Sequence, residues 1–159
     1  MNLVHHRDPI LRTKCEVFDF KNPPVDPIDF AQQLVKFMYD KNGIGLAANQ
    51  VGFLYNIFAM RGMPENFVCF NPRIVMPSAQ NVLLEEGCVT FPGLLVKIKR
   101  PQHIKVRFQT PNGETRTETF TGITARVFQH EMDHLSGHEF FRRANPYHRH
   151  MFLKKSAKF

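Results

Sequence analysis

The run Gln129-His130-Glu131-Met132-Asp133-His134 places two histidines four residues apart, with a glutamate directly after the first. Side chains at i and i+4 stand on one face of an α-helix, so His130 and His134 can reach a single metal ion from one element. Glu131 then projects beside that ion, where a carboxylate can take a proton from water activated there. Two imidazoles leave a catalytic metal one protein ligand short. The identity of the third ligand decides the chemistry.

Two metallopeptidase continuations of H-E-x-x-H can be checked downstream. One requires a glycine three residues after the second histidine and a further histidine three residues later. Gly137 fits the first place, but Phe140 occupies the second and His138 is out of register. The other requires a glutamate well downstream, and no acidic residue follows Glu139, which itself lies too close to His134 at a helix end. Cys88, within Glu85-Glu86-Gly87-Cys88-Val89-Thr90-Phe91-Pro92, is the remaining strong candidate. It closes a strand-like run just before a turn, so its sulfur can face a helix packed on the sheet. A lone strand cysteine is ordinarily a small buried hydrophobe, and Cys15 and Cys69 are read that way.

The elements that must position these groups are legible from spacing. Asp26 is an N-cap with Pro27 at the first helical position. Phe30, Leu34, Phe37 and Met38 then recur at helical spacing, and Gly43 is the expected stop. From residue 44 to 120 the pattern shortens. Leu54–Met60, Phe67–Val75, Val82–Val89, Leu94–Ile98, Ile104–Phe108 and Thr115–Phe120 read as strands. Pro111-Asn112-Gly113 marks a hairpin, and a second helix over 123–135 carries H-E-x-x-H. The expected fold is α+β: mostly antiparallel strands packed around a central helix bearing H-E-x-x-H, with an N-terminal helix. A single catalytic domain is expected over 1–143, with a short basic tail over 144–159.

Bulk properties narrow the class. A chain of 159 residues suits one domain, and 43% hydrophobic with 22% charged residues is a globular balance, not a disordered one. No apolar run approaches the roughly 20 residues of a membrane helix, and the opening lacks the apolar segment of a secretion signal. Three widely spaced cysteines argue against a disulfide framework and for a reducing compartment, where a thiolate is free to bind metal. These features point to a cytoplasmic protein. The net charge of +7 suits anionic partners such as RNA, with basic residues concentrated between Arg142 and Lys158.

Three segments in order resemble peptide deformylase: Gly43-Ile44-Gly45-Leu46-Ala47-Ala48-Asn49-Gln50, Glu86-Gly87-Cys88-Val89-Thr90 and Gln129-His130-Glu131-Met132-Asp133-His134-Leu135. Asp8-Pro9-Ile10-Leu11-Arg12 is similar to the family's opening, and the likeness extends to about residue 143. In the second segment the family usually has Leu-Ser where this chain has Val89-Thr90, a change expected to bear on pocket size more than on chemistry. The chain also lacks the long amphipathic C-terminal helix of many bacterial members. Such a short form is compatible with a bacterial cytoplasm or, for a phage protein, that of an infected cell.

The resemblance implies hydrolysis of the N-formyl group from the first methionine of nascent polypeptides, releasing formate. It implies Cys88, His130 and His134 as ligands of one divalent metal, Fe²⁺ in the cell, with Zn²⁺, Ni²⁺ or Co²⁺ able to substitute. Glu131 would be the proton acceptor, with the Gln50 amide and the Val89 N–H as oxyanion donors. Gly43, Ile44 and Gly45 would receive the substrate as an added strand, and Ile44 and Val89 are also candidate pocket walls. Asp133 and Gln129 are candidates for orienting the imidazoles, and Glu86 with Arg100 for a buried ion pair behind the cysteine. Expected partners are N-formyl-methionyl nascent peptides and, through the basic surface, the ribosome, with the enzyme a monomer. The rival readings are a zinc endopeptidase and an RNA-binding module without activity.

Overall fold

The computed structural model describes residues 1–159 throughout. Helix α1 (Pro27–Asp40) starts as its residues dictate: the Asp26 carboxylate accepts the N–H groups of Ile28 and Asp29 at 3.0 and 3.2 Å. It buries Phe30, Ala31, Leu34 and Met38. Its end differs from the expected glycine stop. Asn42 takes the left-handed conformation (φ 55°), the Asn42 N–H reaches Tyr39 O, and the Gly43 N–H reaches Met38 O. This is the paired hydrogen-bond closure that usually has glycine at the left-handed position. Gly43 takes the next place in the closure, its N–H held by Met38 O at 2.9 Å.

Strands β1 (Gly45–Ala47), β2 (Ile57–Met60), β3 (Phe67–Pro77), β6 (His103–Gln109) and β7 (Thr115–Thr121) form an antiparallel sheet in the order β1-β2-β3-β6-β7. Strands β4 (Asn81–Cys88) and β5 (Phe91–Pro101) form a separate hairpin. All four β2 residues are buried because helices cover both faces of the sheet. Ile57 and Ala59 pack with α1, whereas Phe58 and Met60 pack with α2 (Gly122–Leu135). The run therefore reads as continuously apolar rather than alternating.

Helix α2 lies between this sheet and the hairpin, and it is buried without a break from Ala125 to Glu131. It ends by the same closure as α1, here with Gly137 at φ 72°: Gly137 N–H bonds to His134 O and His138 N–H to Asp133 O. A Cβ on Gly137 would stand 2.8 Å from the backbone of Arg12 and Thr13, so no other residue fits.

The structure bears out the α+β architecture, the N-terminal helix and the central H-E-x-x-H helix. It differs locally. β1 was not among the expected strands, because a three-residue segment rich in glycine and alanine has no β signature of its own. β2 begins three residues later than expected, and β3 and β5 are longer. The stretch expected as a tail contains α3 (Pro146–Ser156), capped by the Asn145 side chain on the His148 N–H at 2.8 Å. Its single anchor is Phe152, 2% exposed, stacked on Phe141 at 4.7 Å and packed with Phe91, Phe140, Val96 and Ile98. One buried apolar side chain in a basic stretch gives no readable period.

Phe152→Ala is expected to destabilise the protein by about 3–5 kcal/mol, the range for removing a buried aromatic ring. Urea denaturation followed by circular dichroism would check this, and an unchanged midpoint would mean that α3 is not part of the cooperative core.

Candidate metal centre and active site

Cys88 ends β4 at a turn of two residues, Val89 and Thr90, and pairs across it with Phe91. Its sulfur thereby faces α2 at the level of His130 and His134. Cys88 Sγ is 3.4 Å from His134 Nε2, which is 3.2 Å from His130 Nε2. These three atoms lie within 4.8 Å of one another, so the group can hold a metal ion.

The His130 ring is oriented by Glu86, whose Oε1 accepts from Nδ1 at 2.9 Å; this directs Nε2 to the centre. The same carboxylate takes Arg100 through both Nε and Nη2 and Arg126 Nη1 at 2.6 Å. Arg126 also donates to the carbonyls of Ile98 and Val82. The expected Glu86–Arg100 pair is thus present and buried, at 6% and 3% exposure.

Asp133 and Gln129 do not touch the imidazoles, contrary to expectation. Asp133 binds Arg100 Nη1 at 3.0 Å and accepts two 2.7 Å bonds from Arg143. The Gln129 amide donates to the carbonyls of Pro101 and Ala125. Gln129 precedes His130 and Asp133 precedes His134 by one position, which on a helix turns each about 100° away from that histidine. At the other end of the ligand pair, Asn49 Nδ2 donates to His134 O at 2.6 Å, tying the first motif to the helix.

The charges of the site favour a cation at its centre. Burial opposes ionisation of the Cys88 thiol, yet His134 and His130 outweigh it and hold the thiol well below its ordinary range. Burial likewise opposes charge on His130, but hydrogen bonds to Cys88 and Glu86 raise it to about 10. Glu86 is held at about 2, its burial overcome by His130 and Arg100. A buried thiolate sharing positive charge with imidazoles suits a metal, whose binding displaces protons from such ligands. Cys15 and Cys69 behave oppositely: burial pushes Cys15 up to about 12 and Cys69 well above its usual value.

Glu131 is 3% exposed, and its Oε2 has no hydrogen-bond partner. Burial pushes its carboxyl up to about 7, against the pull of His134 and His130. The carboxylate reaches its place because residue 45 is glycine. A Cβ there would stand 2.6 Å from Glu131 Oε1 and 2.9 Å from Val127 Cγ1. Gly43 is confined too, since its Cβ would meet Val89 Cγ1 at 3.0 Å.

Gln50 is 1% exposed, not a surface residue. Its Oε1 accepts the Ala47 N–H at 2.9 Å, which turns Nε2 toward Cys88 Sγ (3.2 Å) and Thr90 Oγ1 (2.9 Å). The Val89 N–H has no acceptor within the protein. A cavity of about 610 Å³ opens in front of these groups, lined among others by Gly43, Ile44, Gly45, Val89, Ile123 and Arg126. Ile44 is 56% exposed, which excludes a core role for it.

Sequence reasoning missed three residues here. Arg126 lies one turn before His130 on the ligand face, so spacing alone could have found it. Asn49 adjoins Gln50 in the first motif. Thr90 was visible only as a departure assigned to pocket size, whereas its hydroxyl contacts the Gln50 amide.

An α+β fold with one site able to hold a metal ion beside a buried carboxylate has the parts that a metal-dependent hydrolase needs. A family model, polypeptide deformylase, matches residues 1–150. The peptide deformylase of Thermotoga neapolitana is 37% identical over 153 residues, covering 93% of this chain and 89% of that protein. The chloroplastic peptide deformylase 1B of Solanum lycopersicum is 38% identical, covering 89% of this chain and 52% of that protein. The crystal structure of Arabidopsis thaliana peptide deformylase 1B with an inhibitor superposes with a TM-score of 0.91 at 31% identity, covering 99% of this chain and 89% of that one. The Thermotoga maritima enzyme gives a TM-score of 0.86 at 34% identity, over 91% and 97% of the two chains. This chain belongs to the polypeptide deformylase family. It is a metal-dependent hydrolase that removes the N-formyl group from N-formyl-methionyl nascent peptides.

Glu86→Gln is expected to weaken metal retention roughly 10–100-fold, the usual effect of losing a partner of a ligand imidazole. Metal content after dialysis against a graded chelator would measure it, with a thermal melt to confirm folding; undiminished retention would contradict this role. Gly45→Ala is expected to lower formate release by roughly 10²-fold or more, because it displaces the Glu131 carboxylate, the expected base, while bound metal stays at parental level. Unchanged turnover would show that Glu131 tolerates the displacement.

Proposed function

We propose that Cys88, His130 and His134 hold the catalytic metal, with Glu131 as the base and Gln50 Nε2 and the Val89 N–H as the oxyanion donors. The observation that carries this reading is the convergence of one sulfur and two ring nitrogens beside a buried carboxylate oxygen with no other partner. When bound there, a divalent cation supplies Lewis acidity, polarising the formyl carbonyl and lowering the pKa of water. Glu131 accepts the proton of the attacking water. It then returns that proton to the leaving amine, so that the formyl C–N bond breaks to formate and a free N-terminus. Burial raises the Glu131 carboxyl above the ordinary carboxylate range, a direction that favours its taking up a proton and later giving it back. Gln50 and the Val89 N–H face the oxygen that gains charge, and Glu86 keeps the His130 ring in the ligating tautomer.

The substrate enters as an extended strand. Gly43–Gly45 leads into β1, at the edge of the five-stranded sheet, and Glu85–Gly87 belongs to β4; both segments line the cavity. Backbone pairing is indifferent to most side chains, which suits an enzyme acting on many nascent chains. Ile44 and Val89 serve as walls for the unbranched methionine side chain.

Fe²⁺ is the proposed ion in the cell, with Zn²⁺, Ni²⁺ or Co²⁺ able to replace it; a sulfur and two imidazoles suit all four. The proposed state is a cytoplasmic monomer, supported by a site complete within one chain and by a ligand thiol that needs reducing surroundings. Residues 1–143 form the catalytic unit, and 144–159 a basic segment docked on it through Phe152. Lys154, Lys155 and Lys158 are exposed there without acidic partners, which supports contact with ribosomal RNA.

Glu131→Ala is expected to lower formate release from formyl-Met-Ala-Ser by roughly 10²–10⁴-fold while retaining bound metal, whereas Cys88→Ala loses both. Anaerobic turnover with elemental analysis checks this. A fully active Glu131→Ala enzyme would reject the assigned base, and cleavage of internal peptide bonds would reject the substrate.

A further inference from the structure

The Gln50 amide is held on both sides. Its oxygen accepts from Ala47, and its nitrogen lies 2.9 Å from Thr90 Oγ1 and 3.2 Å from Cys88 Sγ. An amide nitrogen carries two hydrogens in a fixed plane. With one on Thr90 Oγ1, the other is aimed at the sulfur and the cavity before it. The last torsion of glutamine is intrinsically broad, and the Ala47 contact alone leaves the NH₂ end free to swing. Thr90 is itself confined: 7% exposed, in the two-residue turn that sets Cys88, and β-branched, which restricts its χ1.

We propose that Thr90 is a positioning residue for the oxyanion donor: its hydroxyl oxygen takes one N–H of Gln50 so that the other points at the reacting carbonyl. The inference rests on Gln50 being that donor. In the resting enzyme the aimed hydrogen meets sulfur, a weak acceptor that is easily exchanged for a developing oxyanion. The Thr90 bond persists through the reaction and keeps the amide from reorganising as charge appears.

The test compares Thr90→Val, which removes the acceptor, with Thr90→Ser, which keeps it, in parental and Gln50→Ala backgrounds of the metal-loaded enzyme. Loss of an oxyanion donor costs about 10²–10³ in turnover, and a misdirected one a part of that, so Thr90→Val is expected to lower kcat by roughly tenfold. KM, metal content and melting temperature stay near parental values, and Thr90→Ser restores kcat. In the Gln50→Ala background Thr90→Val has no further effect. In the zinc-loaded enzyme, ¹⁵N spectra are expected to show two resolved, slowly exchanging Gln50 amide protons. They exchange fast in Thr90→Val and are resolved again in Thr90→Ser. A Thr90→Val enzyme with parental kcat overturns the inference, as does an equal loss in both backgrounds, which would mark a role in folding alone. A Gln50→Ala enzyme with full turnover overturns the donor assignment and this inference with it. A normal Gln50→Ala loss beside an unaffected Thr90→Val overturns this inference only.

Discussion

The site depends on one buried carboxylate. Glu86 accepts from Arg100 on β5, from Arg126 on α2 and from the His130 ring. The hairpin that presents Cys88 and the helix that presents the two histidines belong to different layers, and no strand pairing joins them. A metal site needs its ligands placed to within a few tenths of an ångström. Apolar packing alone tolerates larger slippage, whereas directional charged bonds do not. Glu86 therefore converts contact between two layers into a fixed geometry, and the same oxygen that accepts from Arg100 Nη2 also sets the His130 ring.

Burying these charges is costly. A desolvated ion pair is rarely a net gain in stability over well-packed apolar residues, and losing one partner exposes the other's desolvation penalty in full. Here two carboxylates, Glu86 and Asp133, meet three guanidiniums, those of Arg100, Arg126 and Arg143. Every carboxylate oxygen has a donor. The network makes sense as preorganisation: its energy goes into holding atoms in place, and the Glu131 carboxylate stands outside it, its buried Oε2 without a partner.

Much of this was legible in the sequence. A helix with both histidines on one face follows from a period of 3.6, and the Asp26-Pro27 start of α1 follows from capping chemistry. Local signals failed where tertiary contacts decide. Asn42 rather than Gly43 closes α1, because an asparagine side chain tolerates the left-handed conformation and Gly43 is needed where Val89 leaves no room for a Cβ. Gly45 read as room for a substrate backbone, yet it is also room for the Glu131 carboxylate, a contact across 86 positions of the chain that no local pattern contains. Asp133 and Gln129 sit beside ligands in sequence but point elsewhere in space. Glu86 and Arg100 were found because the cysteine motif drew attention to them. Arg126 was overlooked although it shares the ligand face, since an arginine there reads as solvated charge.

Arg126 also resolves an apparent conflict between charge and substrate. A chain with net charge +7 acts on peptides whose first side chain, a methionine thioether, is neutral. Arg126 lines the cavity, but its guanidinium is bound by Glu86 and by the carbonyls of Ile98 and Val82. What it can present to the cavity is its methylene stem, in the manner of long cationic side chains that cover apolar surface while the charged head is satisfied elsewhere. The residue that braces Glu86 from α2 thus also lines the cavity. The orientation of His130 and the lining of the cavity are coupled through a single residue, so a change at Arg126 alters the cavity and also disturbs the carboxylate behind His130.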